Sequence, residues 1–131
     1  MEQSVRHILL IDDDEINNFL SREIITHYYP GTEVHSSTNA STALDYLVEM
    51  LHTGQPWPHI LLLDINMPVM DGWEFLEELS KLAWSEKITS DIYIYTSSVY
   101  EADITKARRF SLVKNLISKP LCREVLDEIM L

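Results

Sequence analysis

Residues 60–72 read ILLLDINMPVMDG: four consecutive apolar residues, Ile60 to Leu63, that stop at Asp64. An apolar run of this length without polar alternation is the pattern of a strand covered on both faces, and such strands belong to parallel sheets flanked by crossover helices. An ionised carboxylate directly after buried apolar residues is costly unless a partner or a function holds it there. Asp64 is therefore a candidate functional residue. Pro68 and Asp71-Gly72 add ordinary turn chemistry before the next helix.

The same unit recurs on either side. Short runs at 8–11, 33–36, 92–95 and 116–117 join Ile60–Leu63 as five candidate strands, each of buried-strand length. Ile16, Phe19, Leu20 and Ile24 fall at helical spacing, as do Ala40, Ala43, Leu44, Leu47, Val48 and Leu51, then Phe75, Leu76, Leu79 and Leu82. Residues 100–110 carry a thinner face of Ala102, Ile104 and Ala107, and Leu121, Val125, Leu126 and Ile129 mark a terminal helix. Strand-helix order repeated five times predicts an α/β fold: a doubly wound parallel sheet of five strands between two helical layers, with right-handed crossovers.

The chain has 131 residues, 46% of them hydrophobic, with no repeat, low-complexity tract or linker, which predicts one domain over 1–131. Ten Lys plus Arg stand against 21 Asp plus Glu, a net charge of -11 that repels polyphosphate and excludes direct nucleic acid binding. Cys122 is the single cysteine, so no internal disulfide forms; a lone thiol is normal in a reducing compartment, and cytoplasm is the expected location. The apolar run at 8–11 is too short for a signal peptide or membrane insertion.

In doubly wound sheets the ligand crevice lies beyond the carboxyl ends of the strands. There the first run ends in Asp12, Asp13, Asp14 and Glu15, the third in Asp64, the fourth in Thr96, Ser97 and Ser98, and the fifth in Lys119-Pro120. The second ends blandly in Ser37-Thr38-Asn39. If the first and third strands are neighbours, Asp12, Asp13 and Asp64 converge and raise one another's pKa unless a cation neutralises them. Oxygen donors suit Mg²⁺, and Lys119 with Thr96 adds a point charge and a hydroxyl suited to phosphate oxygens. The set describes a metal-assisted phosphoryl site. Asp14 and Glu15 read as a helix cap and its first turn, and Trp57, Trp73 and Trp84 as packing residues.

Taken together and in order, LLIDDDE, LLLDINMPVMDG, YIYTSS and ISKPL resemble the receiver domain of two-component response regulators, over essentially the whole chain. The resemblance implies the strand order 2-1-3-4-5. It implies that Asp64 is the phosphoacceptor, taking a phosphoryl group from a phosphohistidine on a sensor histidine kinase or histidine phosphotransfer protein. It also implies Mg²⁺ held by Asp13, Asp12, Asp64 and the backbone carbonyl of Asn66, a phosphate contact from Lys119, a switch hydroxyl on Thr96 and a cis Lys119-Pro120 peptide. The second switch position, ordinarily aromatic in that family, is Leu116 here. No output domain is expected after the fifth helix, so signalling would proceed by contact with a downstream protein target. A phosphatase of the haloacid dehalogenase type would place its nucleophile after the first strand, with a second Asp two residues on; here Asp64 is followed by Ile65 and Asn66. A flavodoxin-like carrier would need a hydroxyl- and glycine-rich loop where the acidic run stands.

Overall fold

Strands β1 (His7–Ile11), β2 (Glu33–Ser37), β3 (Ile60–Leu63), β4 (Asp91–Thr96) and β5 (Val113–Ser118) form one parallel sheet in the order β2-β1-β3-β4-β5. They alternate with helices α1 (Glu15–Tyr28), α2 (Ala40–Thr53), α3 (Gly72–Lys81), α4 (Glu101–Ala107) and α5 (Arg123–Met130). This computed structural model describes residues 5–82 and 88–131; Trp84 lies outside them. The expected fold class and strand order are those observed.

Strands β1 and β3 occupy the centre, which is why both are apolar on both faces. Ile8, Leu10, Ile60 and Leu62 face Ile25 of α1 and Leu126 and Ile129 of α5. Leu9, Ile11, Leu61 and Leu63 face Ala43 and Leu47 of α2 and Phe75, Leu76 and Leu79 of α3. Each fully buried Leu or Ile contributes about 1.5–3 kcal/mol of hydrophobic stabilisation. Strand β2, read from sequence as a buried strand, is instead an edge strand with largely exposed side chains.

Helix α1 corrects a second expectation. Its buried residues are Asn18, Ser21 and Ile25, whereas Ile16, Phe19 and Leu20 are 73%, 57% and 52% exposed. The orientation is set by polar contacts: Asn18 Nδ2 donates to the Asp12 carbonyl at 2.9 Å, and the Ser21 and Tyr95 hydroxyls pair at 3.0 Å. These contacts turn the more apolar stripe outward.

Local capping follows the sequence closely. Asp14 caps α1, accepting from the Ile16 and Asn17 amides at 3.0 and 3.2 Å. Asp71 and Glu74 form a reciprocal capping box at the start of α3, which stops the chain at the turn after β3. Trp57 is buried with its indole N–H on the Leu47 carbonyl at 3.0 Å, and Trp73 stacks on Phe110 with centroids 5.9 Å apart; both are packing residues. Helix α4 buries only Ala107, in keeping with its thin apolar face.

Candidate functional site

The register of β1 on β3 pairs Ile11 with Leu63, so the next residues, Asp12 and Asp64, emerge side by side at the carboxyl edge. The Asp64 amide donates to the Ile11 carbonyl at 2.9 Å, and that of Asp12 to the Ser37 carbonyl at 3.0 Å. Asp12 and Asp64 are buried and Asp13 is exposed, with ligand oxygens of all three within 4.8 Å of one another.

Lys119 closes the cluster. Its amide donates to the Thr96 carbonyl at 2.8 Å, the Lys119-Pro120 peptide is cis, and the ammonium reaches Asp12 Oδ2 at 2.6 Å and Asp64 Oδ2 at 3.4 Å. Asp12 also accepts from the Asp14 amide at 2.9 Å through Oδ1 and from Asn17 Nδ2 at 2.7 Å through Oδ2. Asp64 Oδ1 accepts from the Asn66 amide at 3.1 Å. Burial, reinforced by the Asp12 charge, leaves the Asp64 carboxyl above its ordinary pKa despite the opposing Asn66 N–H and Lys119. For Lys119, burial works to lower the pKa, but the Asp12 hydrogen bond and the Asp64 and Asp12 charges outweigh it, so the net shift is upward. The lysine stays charged between two carboxylates.

The remaining candidates lie around this core. Thr96 is fully buried, and its hydroxyl turns into its own loop, 3.4 Å from both the carbonyl and the amide of Ser98. Asn66 is exposed beside Asp64. Leu116 pairs with Ile94 in the sheet and packs, half-buried, on the core beneath α2 and α3. Sequence reasoning missed Asn17 and Asn18, whose amides hold the Asp12 side chain and carbonyl; two amides directly after an acidic run were the available signal. It also missed the steric role of Gly72, where a Cβ would lie 2.6 Å from the Asp64 carbonyl oxygen and 2.7 Å from Ile65 Cα. Only glycine permits that approach. Chemically, the site offers hard oxygen donors, one solvent-facing, beside a fixed ammonium: a place for a divalent cation and an anionic group together.

Residues 8–130 match the response regulator receiver domain, and the chain belongs to that family. The crystal structure of a two-component response regulator from Cytophaga hutchinsonii superimposes with a TM-score of 0.88 at 34% identity, covering 98% of this chain and 96% of the other. A two-component response regulator of Oryza sativa subsp. japonica is 27% identical over 130 residues, 99% of this chain and 95% of that protein. A protein-glutamate methylesterase/protein-glutamine glutaminase of Methylobacillus flagellatus is 40% identical over 75 residues, 57% of this chain. The match spans about a fifth of the methylesterase, at 19% of its length. The chain is thus a signalling domain of two-component systems. None of its described helices is long and apolar enough to cross a membrane.

Proposed function

We infer that the chain acts as a response regulator receiver, with Asp64 accepting a phosphoryl group from a phosphohistidine of a sensor histidine kinase or histidine phosphotransfer protein. The observation that carries this reading is the Lys119 ammonium between Asp12 and Asp64, a fixed cation facing the carboxylate at the strand end. In the transfer, an Asp64 oxygen attacks phosphorus, the P–N bond breaks, and the imidazole leaves with the bonding pair and takes up a proton. Lys119 would exchange its longer contact, the 3.4 Å one to Asp64, for a phosphoryl oxygen. Positioning and charge neutralisation do the catalytic work, and no strong base is needed.

The donor set fits Mg²⁺: all ligands are oxygens, three are carboxylates within 4.8 Å, and Asp13 makes no side-chain hydrogen bond among the described residues. Asp12, Asp13, Asp64 and the Asn66 carbonyl would hold the ion, which when bound offsets the negative charge gathered on the carboxylates and phosphoryl oxygens. The exposed Ile16, Phe19 and Leu20 lie on α1, the helix whose Asn17 and Asn18 amides hold Asp12, and an exposed apolar patch on that helix suits docking of the phosphodonor protein. Thr96 would be the switch, turning from its own loop toward the phosphoryl group, while Leu116 stays packed. Output passes to a downstream protein target in the cytoplasm, with no direct nucleic acid contact, no membrane insertion, and no turnover beyond loss of its own phosphoryl group.

Mass spectrometry after incubation with a small-molecule phosphodonor and Mg²⁺ tests this. One phosphate added to wild type and none to Asp64→Asn is expected; a phosphate retained in the mutant would overturn the assignment.

A further inference from the structure

The opposite edge of the sheet carries a second cluster of donors that the phosphoryl chemistry does not use. At the amino-terminal end, His7 of β1 pairs in register with Glu33 of β2, and Leu9 with His35. Because side chains alternate along a strand, His7, Glu33 and His35 share the face turned toward α2. Three atoms converge there: His7 Nδ1 lies 3.3 Å from Glu33 Oε2 and 3.5 Å from His35 Nε2, and His35 Nε2 lies 3.8 Å from the same oxygen.

We propose that His7 Nδ1, Glu33 Oε2 and His35 Nε2 bind a zinc-class transition-metal ion, with water completing the coordination. Tetrahedral zinc with bonds of about 2.0–2.1 Å holds neighbouring ligand atoms about 3.3–3.4 Å apart, and the triangle here is close to that spacing on two of its three edges. Hydrogen bonds can join these atoms only in pairs, a ring N–H donating to the Glu33 carboxylate or to the other ring, whereas a metal ion would engage all three at once. Two imidazoles with one carboxylate select a borderline ion over Mg²⁺, which prefers oxygen.

The surroundings are built for such an ion. His59, at the entrance to β3, braces His7: its amide donates to the His7 carbonyl at 2.9 Å, its Nδ1 accepts from the His7 amide at 3.0 Å, and the two rings stack at 6.0 Å. That bond commits the His59 Nδ1 lone pair, so His59 is a positioning residue and not a ligand. The cluster lines a cavity of about 480 Å³ together with Tyr46, Met50, Trp57 and Pro58. The two sheet edges would then hold different metals, a hard ion at the carboxyl end and a borderline one at the amino end, and the second would fasten edge strand β2 to β1.

Titration calorimetry of the full chain with Zn²⁺ in saturating Mg²⁺ tests the proposal, with Co²⁺ absorption as a second readout and circular dichroism to confirm folding. Wild type and Asp13→Asn should each bind one Zn²⁺ per chain, and Co²⁺ should give the intense visible bands of a four-coordinate nitrogen-containing site. His35→Gln, at an exposed position on the edge strand, should lose both signals while still accepting phosphate on Asp64, and Glu33→Gln should weaken binding about tenfold or more. Absence of Mg²⁺-resistant binding in wild type, binding unchanged in His35→Gln, or binding lost in Asp13→Asn would each overturn it.

Discussion

Lys119 Nζ lies 2.6 Å from Asp12 Oδ2, joining residues 107 positions apart, and both side chains are largely shielded from water. A buried pair of this kind is weak evidence of net stabilisation, but removing one partner leaves a buried charge without its counterion and typically costs about 3–5 kcal/mol. Lys119→Ala should therefore lose stability in urea without Mg²⁺, and should gain more from Mg²⁺ than wild type does. Equal gains in the two proteins would show that the lysine does not balance the carboxylates.

Binding of Mg²⁺ should itself be visible in the melting curve. At a tenfold excess over its dissociation constant the ion adds about 1.4 kcal/mol, or roughly 3–6 °C for a domain of this size. Asp13→Asn should abolish the shift; Thr96→Ala should retain it, because among the described residues the Thr96 hydroxyl bonds to its own loop and not to the carboxylates.

Thr96→Ala should accept phosphate from a small donor yet fail to change partner binding. In wild type, beryllofluoride should alter hydrogen exchange mainly between Thr96 and Phe110, where α4 buries a single residue, and little in the strand carrying Leu116. Changes restricted to 115–119 would place the switch elsewhere.

The Tyr95 hydroxyl gives the stability curve an alkaline limb. Burial first, with the Asp12 charge in support, raises its pKa against the opposing Ser21 and Leu121 hydrogen bonds and the Lys119 charge. The unfolded chain ionises its tyrosines near about pH 10, so this contribution is complete below that pH and disappears as pH rises through the higher folded value. Tyr93 and Lys119 are also raised and act in the same direction. Tyr95→Phe should flatten the limb and cost about 1 kcal/mol near neutrality, since the buried Ser21 hydroxyl loses its partner. Denaturant titrations from neutral to alkaline pH would show it.

The two faces of α1 should separate stability from recognition. Ile25→Ala should cost about 2–5 kcal/mol as a fully buried truncation, whereas Phe19→Ser should stay within about 0.5 kcal/mol of wild type. Phosphorylation of Phe19→Ser by a small donor should be normal, and transfer from a phosphohistidine protein slowed. Equal rates with the protein donor would remove α1 from the docking surface.

How far the sequence can be read depends on what kind of force decides each feature. Ile60–Leu63 and the matching run of β1 identify themselves because a strand buried on both faces leaves no choice of residue type. Their ends then deliver Asp12 and Asp64 to one place through register alone. The α1 face resists the same reasoning: Ile16, Phe19 and Leu20 satisfy helical periodicity, yet which stripe turns inward is decided by Asn18 on the Asp12 carbonyl and Ser21 on Tyr95, contacts between distant residues that no local pattern encodes. The His7, Glu33 and His35 cluster escapes notice for a related reason, since its members are 26 and 28 residues apart in one direction and only the pairing of β1 with β2 unites them.

Gly72 has no side chain to contribute, yet the first turn of α3 rests through it against the carbonyl of Asp64, and its amide bonds to the Ile65 carbonyl at 3.2 Å. Residues 65–71 therefore work as a spacer of set length whose two ends touch. A saturation mutagenesis map of this protein should show intolerance at position 72 comparable to that at Asp64, although Gly72 has no side chain to take part in any chemistry. Lengthening or shortening the spacer would shift the Asp64 carboxylate relative to Lys119, so transplanting this site into another scaffold means moving the loop and the opening turn of α3 as a single block.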